Sequence, residues 1–151
     1  MTVQTASTTT CPLCVEDGGL VLLRHAQLRI IRATSPDVAD TPAFYRVVWN
    51  AHVAEWSDLA EANQALCMRA VTAVERVLRQ QLQPTKINLA ALGNVVPHLH
   101  WHVIARFDWD NRFPAPVWAA PVRDNDAERL AQLNACLPAV DAALAALSLA
   151  A

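Results

Sequence analysis

His98, His100 and His102 alternate with Leu99, Trp101 and Val103 near the middle of the chain's second half. Successive side chains of a β-strand point to opposite faces. This run therefore puts three imidazoles on one face and apolar residues on the other. Three of the chain's five histidines fall within these five residues, so chance composition does not account for them. A rigid strand bearing three imidazoles can bind a metal, or it can hold one neutral imidazole as a nucleophile among hydrogen-bonding partners.

The chain has 151 residues, 54% of them hydrophobic and five of them Trp, which suits one compact domain with a real core. A net charge of -2 and a pI near 6.2 give no electrostatic reason to expect nucleic-acid binding. The start shows no basic region followed by an apolar stretch, so no secretory signal is read. The most apolar segment, residues 137–151, carries Asp141 and is too short to span a bilayer. The expectation is a soluble, cytoplasmic protein with no membrane and no nucleic-acid partner. In that compartment cysteines serve as thiols or metal ligands rather than disulfides. Cys67 and Cys136 lie inside helical patterns and read as small buried hydrophobes.

Residues 1–10 read as a mobile tail, and residues 11–151 as a single domain. Gly18 and Gly19 precede two apolar runs, 20–23 and 28–31, which pair as a hairpin. Residues 33–42, with Pro36 and Pro42, form a loop, and residues 45–49 a third strand. Ser57 or Asp58 caps a helix that runs to about Leu82, where Pro84 ends it. Its buried face is Leu59, Leu66, Ala70, Val74, Val77 and Leu78. Residues 87–92 make a fourth strand, Gly93 and Asn94 a turn, and residues 97–107 a fifth strand carrying the histidines. Residues 108–121 are irregular. A last helical region begins at a cap among residues 124–126, and Pro138 is expected to kink or split it. Strands, helix, strands, helix with short connections spell an antiparallel sheet covered by helices, an α+β domain.

A free imidazole is mostly uncharged at neutral pH and keeps one lone pair available. His100, in the middle, is the natural nucleophile toward phosphorus. His98 and His102 can orient it or bind phosphate oxygens, and the amides of Asn88 and Asn94 can meet charge developing on them. The rival reading puts all three histidines on one zinc ion with a water. A further metal reading starts from Cys11 and Cys14, which have the spacing of a zinc half-site. With no second such pair, the remaining ligands would be His52 and His98, leaving His100 free for chemistry. The same two cysteines also read as a redox pair or as ordinary thiols. His25 reads as a surface residue. Asn88 and Asn94 have an alternative role as turn residues, and the tryptophans as packing.

The run from Asn88 through Gly93 and Asn94 to His98, His100, His102, Val103 and Ile104 closely resembles the signature of the histidine triad (HIT) superfamily. That signature is an Asn, a Gly-containing turn, then histidines alternating with apolar residues. Upstream, residues 45–53 with His52, then Ser57, Asp58 and Leu59, look like the family's strand and corner before its first long helix. The resemblance implies a five-stranded antiparallel meander sheet with a long helix and a C-terminal helical segment. It also implies a homodimer with two nucleotide sites, and attack by His100 on the α-phosphate of a nucleotide. His98 and His102 would flank the nucleophile, and Asn88, Gly93, Asn94 and Val95 would occupy the substrate-binding positions. Two of these depart from the pattern: Asn94 stands where the family usually has Gln, and Val95 where Ser or Thr is common. The ribose-binding acid of the family corresponds to Asp37 or Asp40, and Trp109 and Trp118 are candidates for lining the site. Family members with an N-terminal cysteine pair bind zinc through it, the corner histidine and the first triad histidine, here Cys11, Cys14, His52 and His98. The family's chemistry requires no cofactor. Its members split dinucleoside polyphosphates, phosphoramidates or aminoacyl adenylates, or transfer nucleotides. The expected activity is hydrolysis through a covalent nucleotidyl-His100. The alternatives are a nucleotide-binding regulatory protein with little turnover, or a zinc hydrolase using the triad as ligands.

Overall fold

A computed structural model describes residues 10–149. The tail expected over residues 1–10 lies, apart from Thr10, outside them. A short helix α1 (Pro12–Val15) precedes β1 (Leu20–Arg24), β2 (Leu28–Arg32) and β3 (Phe44–Trp49). The long helix α2 (Glu61–Leu82) follows, then β4 (Lys86–Ala90), β5 (His100–Arg106) and α3 (Ala127–Ala145). The five strands form one antiparallel sheet in the order β1-β2-β3-β5-β4. The first three strands are the expected meander. The departure from a simple meander is that β5 inserts between β3 and β4, so the histidine strand is central rather than at the edge.

Strand alternation divides the sheet. Leu28, Ile30, Tyr45, Val47, Trp49, Val103 and Ala105 pack beneath α2 and α3 in one core. The expected α2 stripe, Leu66, Ala70, Val74, Val77 and Leu78, is buried there with Leu59 just before the helix. Cys67 joins this core, and burial pushes its thiol up to about 11, as suits a small inert hydrophobe. The opposite face carries Arg29, Ile31, Phe44, Arg46, Val48, His100, His102, Ile104 and Arg106 at paired positions, and its apolar members cluster with Cys11 and Leu13 or with Ala33 and Val38.

Three local expectations are corrected. The helix does not start at Ser57 or Asp58. Residues Trp56–Asp58 form a 3-10 turn, Ala60 is the N-cap, and Gln64 Nε2 donates to the carbonyls of Trp56 and Leu59 instead. Helix α3, capped by Asp126 accepting from Arg129 N, continues through Pro138 unsplit. Pro138 and Asn134, the residue whose carbonyl loses its donor, are both exposed, so water can satisfy that oxygen. Cys136 is exposed rather than buried. No helix among the described residues is long and apolar enough to cross a membrane.

One polar group ties α3 to the sheet. Asp141 accepts from Arg32 Nε at 3.0 Å and from the Tyr45 hydroxyl at 3.0 Å, and burial with the neighbouring carboxylate holds the tyrosine well above its ordinary pKa. Removing one member leaves the others buried and underpaired. Asp141→Ala is therefore expected to lower unfolding stability by about 1–3 kcal/mol in urea denaturation, with little change in the folded state's circular dichroism.

Candidate functional site

The expected fifth strand begins later than the sequence suggests, and this shapes the site. Pro97 has no N–H to give to a ladder. Leu99 N instead donates to Val53 O at 2.6 Å, and Trp49 N donates to Leu99 O at 3.1 Å. His98 N turns back onto Val96 O at 2.8 Å. His98 thus lies before β5, at the corner where β3 ends, while His100 and His102 stand on the strand itself.

His98 is fully buried. Its Nε2 donates to the Trp49 carbonyl at 2.6 Å. A carbonyl only accepts, so Nε2 carries the proton and Nδ1 carries the lone pair. That nitrogen lies 3.4 Å from the sulfurs of both Cys11 and Cys14, and Cys14 Sγ is 3.3 Å from His52 Nδ1. The ligand atoms of Cys11, Cys14, His52 and His98 all lie within 4.8 Å of one another. Ideal zinc bonds in a tetrahedron put sulfur and nitrogen about 3.6 Å apart, so the four donors fit such an ion with little adjustment. The carbonyl behind His98 is the partner that metal-bound imidazoles characteristically have. The cysteines meet because Pro12 starts a single helical turn, in which Cys14 N and Val15 N donate to Cys11 O. Arg29 pins that turn, donating to the carbonyls of Leu13, Glu16 and Asp17 and to Asn50 Oδ1.

His100 is half-buried. Its Nδ1 is 2.6 Å from the carbonyl oxygen of His98 and donates to it. The lone pair is left on Nε2, and burial lowers the pKa of the ring, keeping it neutral near pH 7. It is the backbone of His98, not its ring, that sets the tautomer of His100. Both nitrogens of His98 are committed elsewhere, which leaves none for an ion shared with His100 and His102. His102 packs edge-on against His100 at 4.8 Å between ring centroids. Burial, His100 and Arg46 push its pKa down to about 3.

The remaining expected residues fall as follows. Asn88 stands on β4, paired with Ile104; its Oδ1 accepts from Arg106 at 2.9 Å, which turns its amide nitrogen away from that arginine. Gly93 has φ of +75°, a left-handed turn conformation that suits glycine, and it lines a small cleft with Trp56, Leu92 and His100. Asn94 and Val95 are exposed on the same connection, Val95 at 93%. Asp40 accepts from Asn111 and Arg112, while Asp37 is exposed on the same loop. Trp109 stacks on Phe107, outside the site. Trp118 reaches it: its ring lies 5.2 Å from His102 and 6.3 Å from Phe44, yet it stays 52% exposed.

Sequence reasoning missed Arg106 and Arg46. Buried Arg106 binds Asp110 through two nitrogens, Asn88, and the Ala115 carbonyl, so it fastens the irregular segment that carries Trp118. The signal was present: Arg106 continues the alternation of His100, His102 and Ile104 on one face, and Arg46 interrupts an otherwise apolar strand.

A family model described as HIT domain matches residues 20–109. A comparison with curated proteins finds no match. Among solved structures, a histidine triad protein from Bradyrhizobium japonicum is 28% identical with a TM-score of 0.62, over 82% of this chain and 90% of that one. A histidine triad (HIT) protein from Sinorhizobium meliloti 1021 is 26% identical with a TM-score of 0.65, over 89% of this chain and 97% of that one. A Zn-bound histidine triad family protein from Mycobacterium smegmatis, 19% identical with a TM-score of 0.60 over 92% and 96% of the two chains, shares the fold. Since the family model spans more than half of the sequence, including the strand and connection that build this site, the chain belongs to the histidine triad (HIT) domain family.

Proposed function

We propose that this protein is a nucleotide-binding hydrolase that cleaves a phosphoanhydride or phosphoramidate bond at a nucleotide α-phosphate through His100. The observation that carries this reading is the hydrogen bond from His100 Nδ1 to the His98 carbonyl, which leaves an uncharged Nε2 on a rigid strand. In the first step the Nε2 lone pair bonds to phosphorus, and the bond to the leaving group breaks with its electron pair, which takes up a proton from solvent. In the second, water attacks the phosphorus, the P–N bond breaks and returns its pair to Nε2, the water's proton passes to solvent, and the monophosphate leaves neutral His100 behind. The Asn88 amide nitrogen serves as a donor to phosphate oxygens, held in that orientation by Arg106. Of the two loop acids, Asp37 is the one left for a ribose, because Asp40 is engaged by Arg112 and Asn111. Cys11, Cys14, His52 and His98 would hold a zinc ion, which would tie the N-terminal turn to the sheet corner and take no part in the bond-breaking.

The test is incubation of the full chain with adenosine phosphoramidate, dinucleoside polyphosphates and nucleoside diphosphosugars. Nucleoside monophosphate release is expected from at least one of them, with a nucleotidyl adduct on the peptide containing His100 in mass spectrometry at alkaline pH. AMP binding without any release would favour the regulatory alternative, and no nucleotide binding at all would reject both. Trp118 offers a further check. As an exposed ring against His102 it is placed to stack on a base, so Trp118→Ala is expected to raise KM roughly tenfold with a smaller change in kcat.

A further inference from the structure

Three arginines are buried or half-buried on the histidine face, and two of them are fully engaged. Arg29 holds the N-terminal turn, and Arg106 holds Asp110 and Asn88. Arg46 differs. It stands in the middle of β3, directly paired with His102 on β5. Its one hydrogen bond reaches the Gly18 carbonyl at 3.5 Å, and its Nε is buried without a partner. Its guanidinium carbon lies 5.2 Å from the centre of the Phe44 ring. Among the described residues no carboxylate reaches ion-pair distance of it; the charge of exposed Asp37 acts on it only from farther off. Across the strand pair lies a second orphan, Nδ1 of His102, on a side chain only 5% exposed. A guanidinium presents five donors and no acceptor, and a protein rarely buries one without an anion to meet it. Here the cation stands close enough for its charge to act on the proposed phosphate-attacking histidine, and the chain gives it one long hydrogen bond and no ion pair.

We infer that Arg46 forms a subsite for a second phosphate of the substrate, separate from the one attacked by His100. The inference rests on the reading of His100 given above. It narrows the substrates to those with two phosphate groups, either in one 5′ chain or with one on the ribose. Planar, fork-shaped donors suit a phosphate's oxygens, and the edge of Trp118 and the Phe44 ring shield the contact from water.

Calorimetric titration of the full chain with AMP, ADP and adenosine 3′,5′-bisphosphate tests this. One of the two bisphosphorylated ligands is expected to bind roughly tenfold tighter than AMP. ADP as that ligand places the second phosphate along the 5′ chain, and the 3′,5′-bisphosphate places it on the ribose. The ratio to AMP should fall to near one in Arg46→Met and be partly kept in Arg46→Lys, a pair that also separates lost recognition from lost folding. Equal affinities for all three ligands, or a ratio unchanged in Arg46→Met, overturn the subsite while leaving the nucleotide reading in place. If no nucleotide binds, that reading fails, and inorganic pyrophosphate against inorganic phosphate decides the subsite by the same dependence on Arg46.

Discussion

His100→Ala and His100→Asn are expected to reduce nucleoside monophosphate release by roughly 10⁴-fold or more, while AMP binding stays within a few fold of the unaltered protein. The argument is geometric. His100 has one nitrogen donating to a fixed carbonyl, and the lone pair of the other meets no partner among the described residues. His98 has spent both nitrogens, on Trp49 and on the cysteine cluster. His102 is almost fully buried beneath Trp118 and Phe44. Removing the His100 ring deletes the covalent path and leaves water to attack without it. At about 1.36 kcal/mol per factor of ten, the expected loss corresponds to about 5 kcal/mol of transition-state stabilisation. Asn keeps a polar side chain but cannot form the nucleotidyl intermediate, so it should fail as completely as Ala. Activity within tenfold of the unaltered protein in either variant would show that His100 is not the nucleophile.

Much of this site is legible in the sequence, for a physical reason. Alternation along a strand is local, so the face shared by His100 and His102 follows from spacing alone. The α2 stripe is legible on the same ground. Readings that depended on distant partners were harder. The start of β5 shifted because Leu99 bonds to Val53 and Trp49, residues far off in sequence. The helix starts past Asp58 because residues Trp56–Asp58 close a 3-10 turn of their own, tied down by Gln64 reaching back to the carbonyls of Trp56 and Leu59. That Asp40 is engaged by Arg112, more than seventy positions away, follows only once the fold brings the two alongside. Arg46 and Arg106 have the alternation of site residues, but whether a buried arginine is saturated cannot be read until its neighbours are placed. The segment after Phe107 held no pattern to read. It is built on Asp110, whose carboxylate receives Arg106 and the backbone N–H groups of Phe107, Arg112 and Phe113.

Cys11→Ser is expected to abolish zinc binding, measured as metal per chain, and to lower the Tm by roughly 10 °C. A metal present at about a thousand times its dissociation constant contributes about 4 kcal/mol, and for a chain of this size each kcal/mol moves the Tm by about 2–4 °C. The loss should also reach the chemistry. The His98 ring is clamped between the cysteines and the Trp49 carbonyl, and the next carbonyl along, its own, fixes the tautomer of His100. Loosening that corner lets the His100 ring turn, so kcat should fall while KM changes less. Cys136→Ser is the control: that thiol is exposed on α3, outside the cluster, and should change neither metal content nor Tm. A chelator should reproduce the Cys11→Ser effect in the unaltered protein, and added zinc should reverse it there but not in the variant. Should the unaltered protein contain no zinc and melt at the same temperature as Cys11→Ser, the four side chains are held together by their own hydrogen bonds. The corner that positions His100 would then owe its rigidity to Arg29 and to the Leu99–Val53 pairing instead.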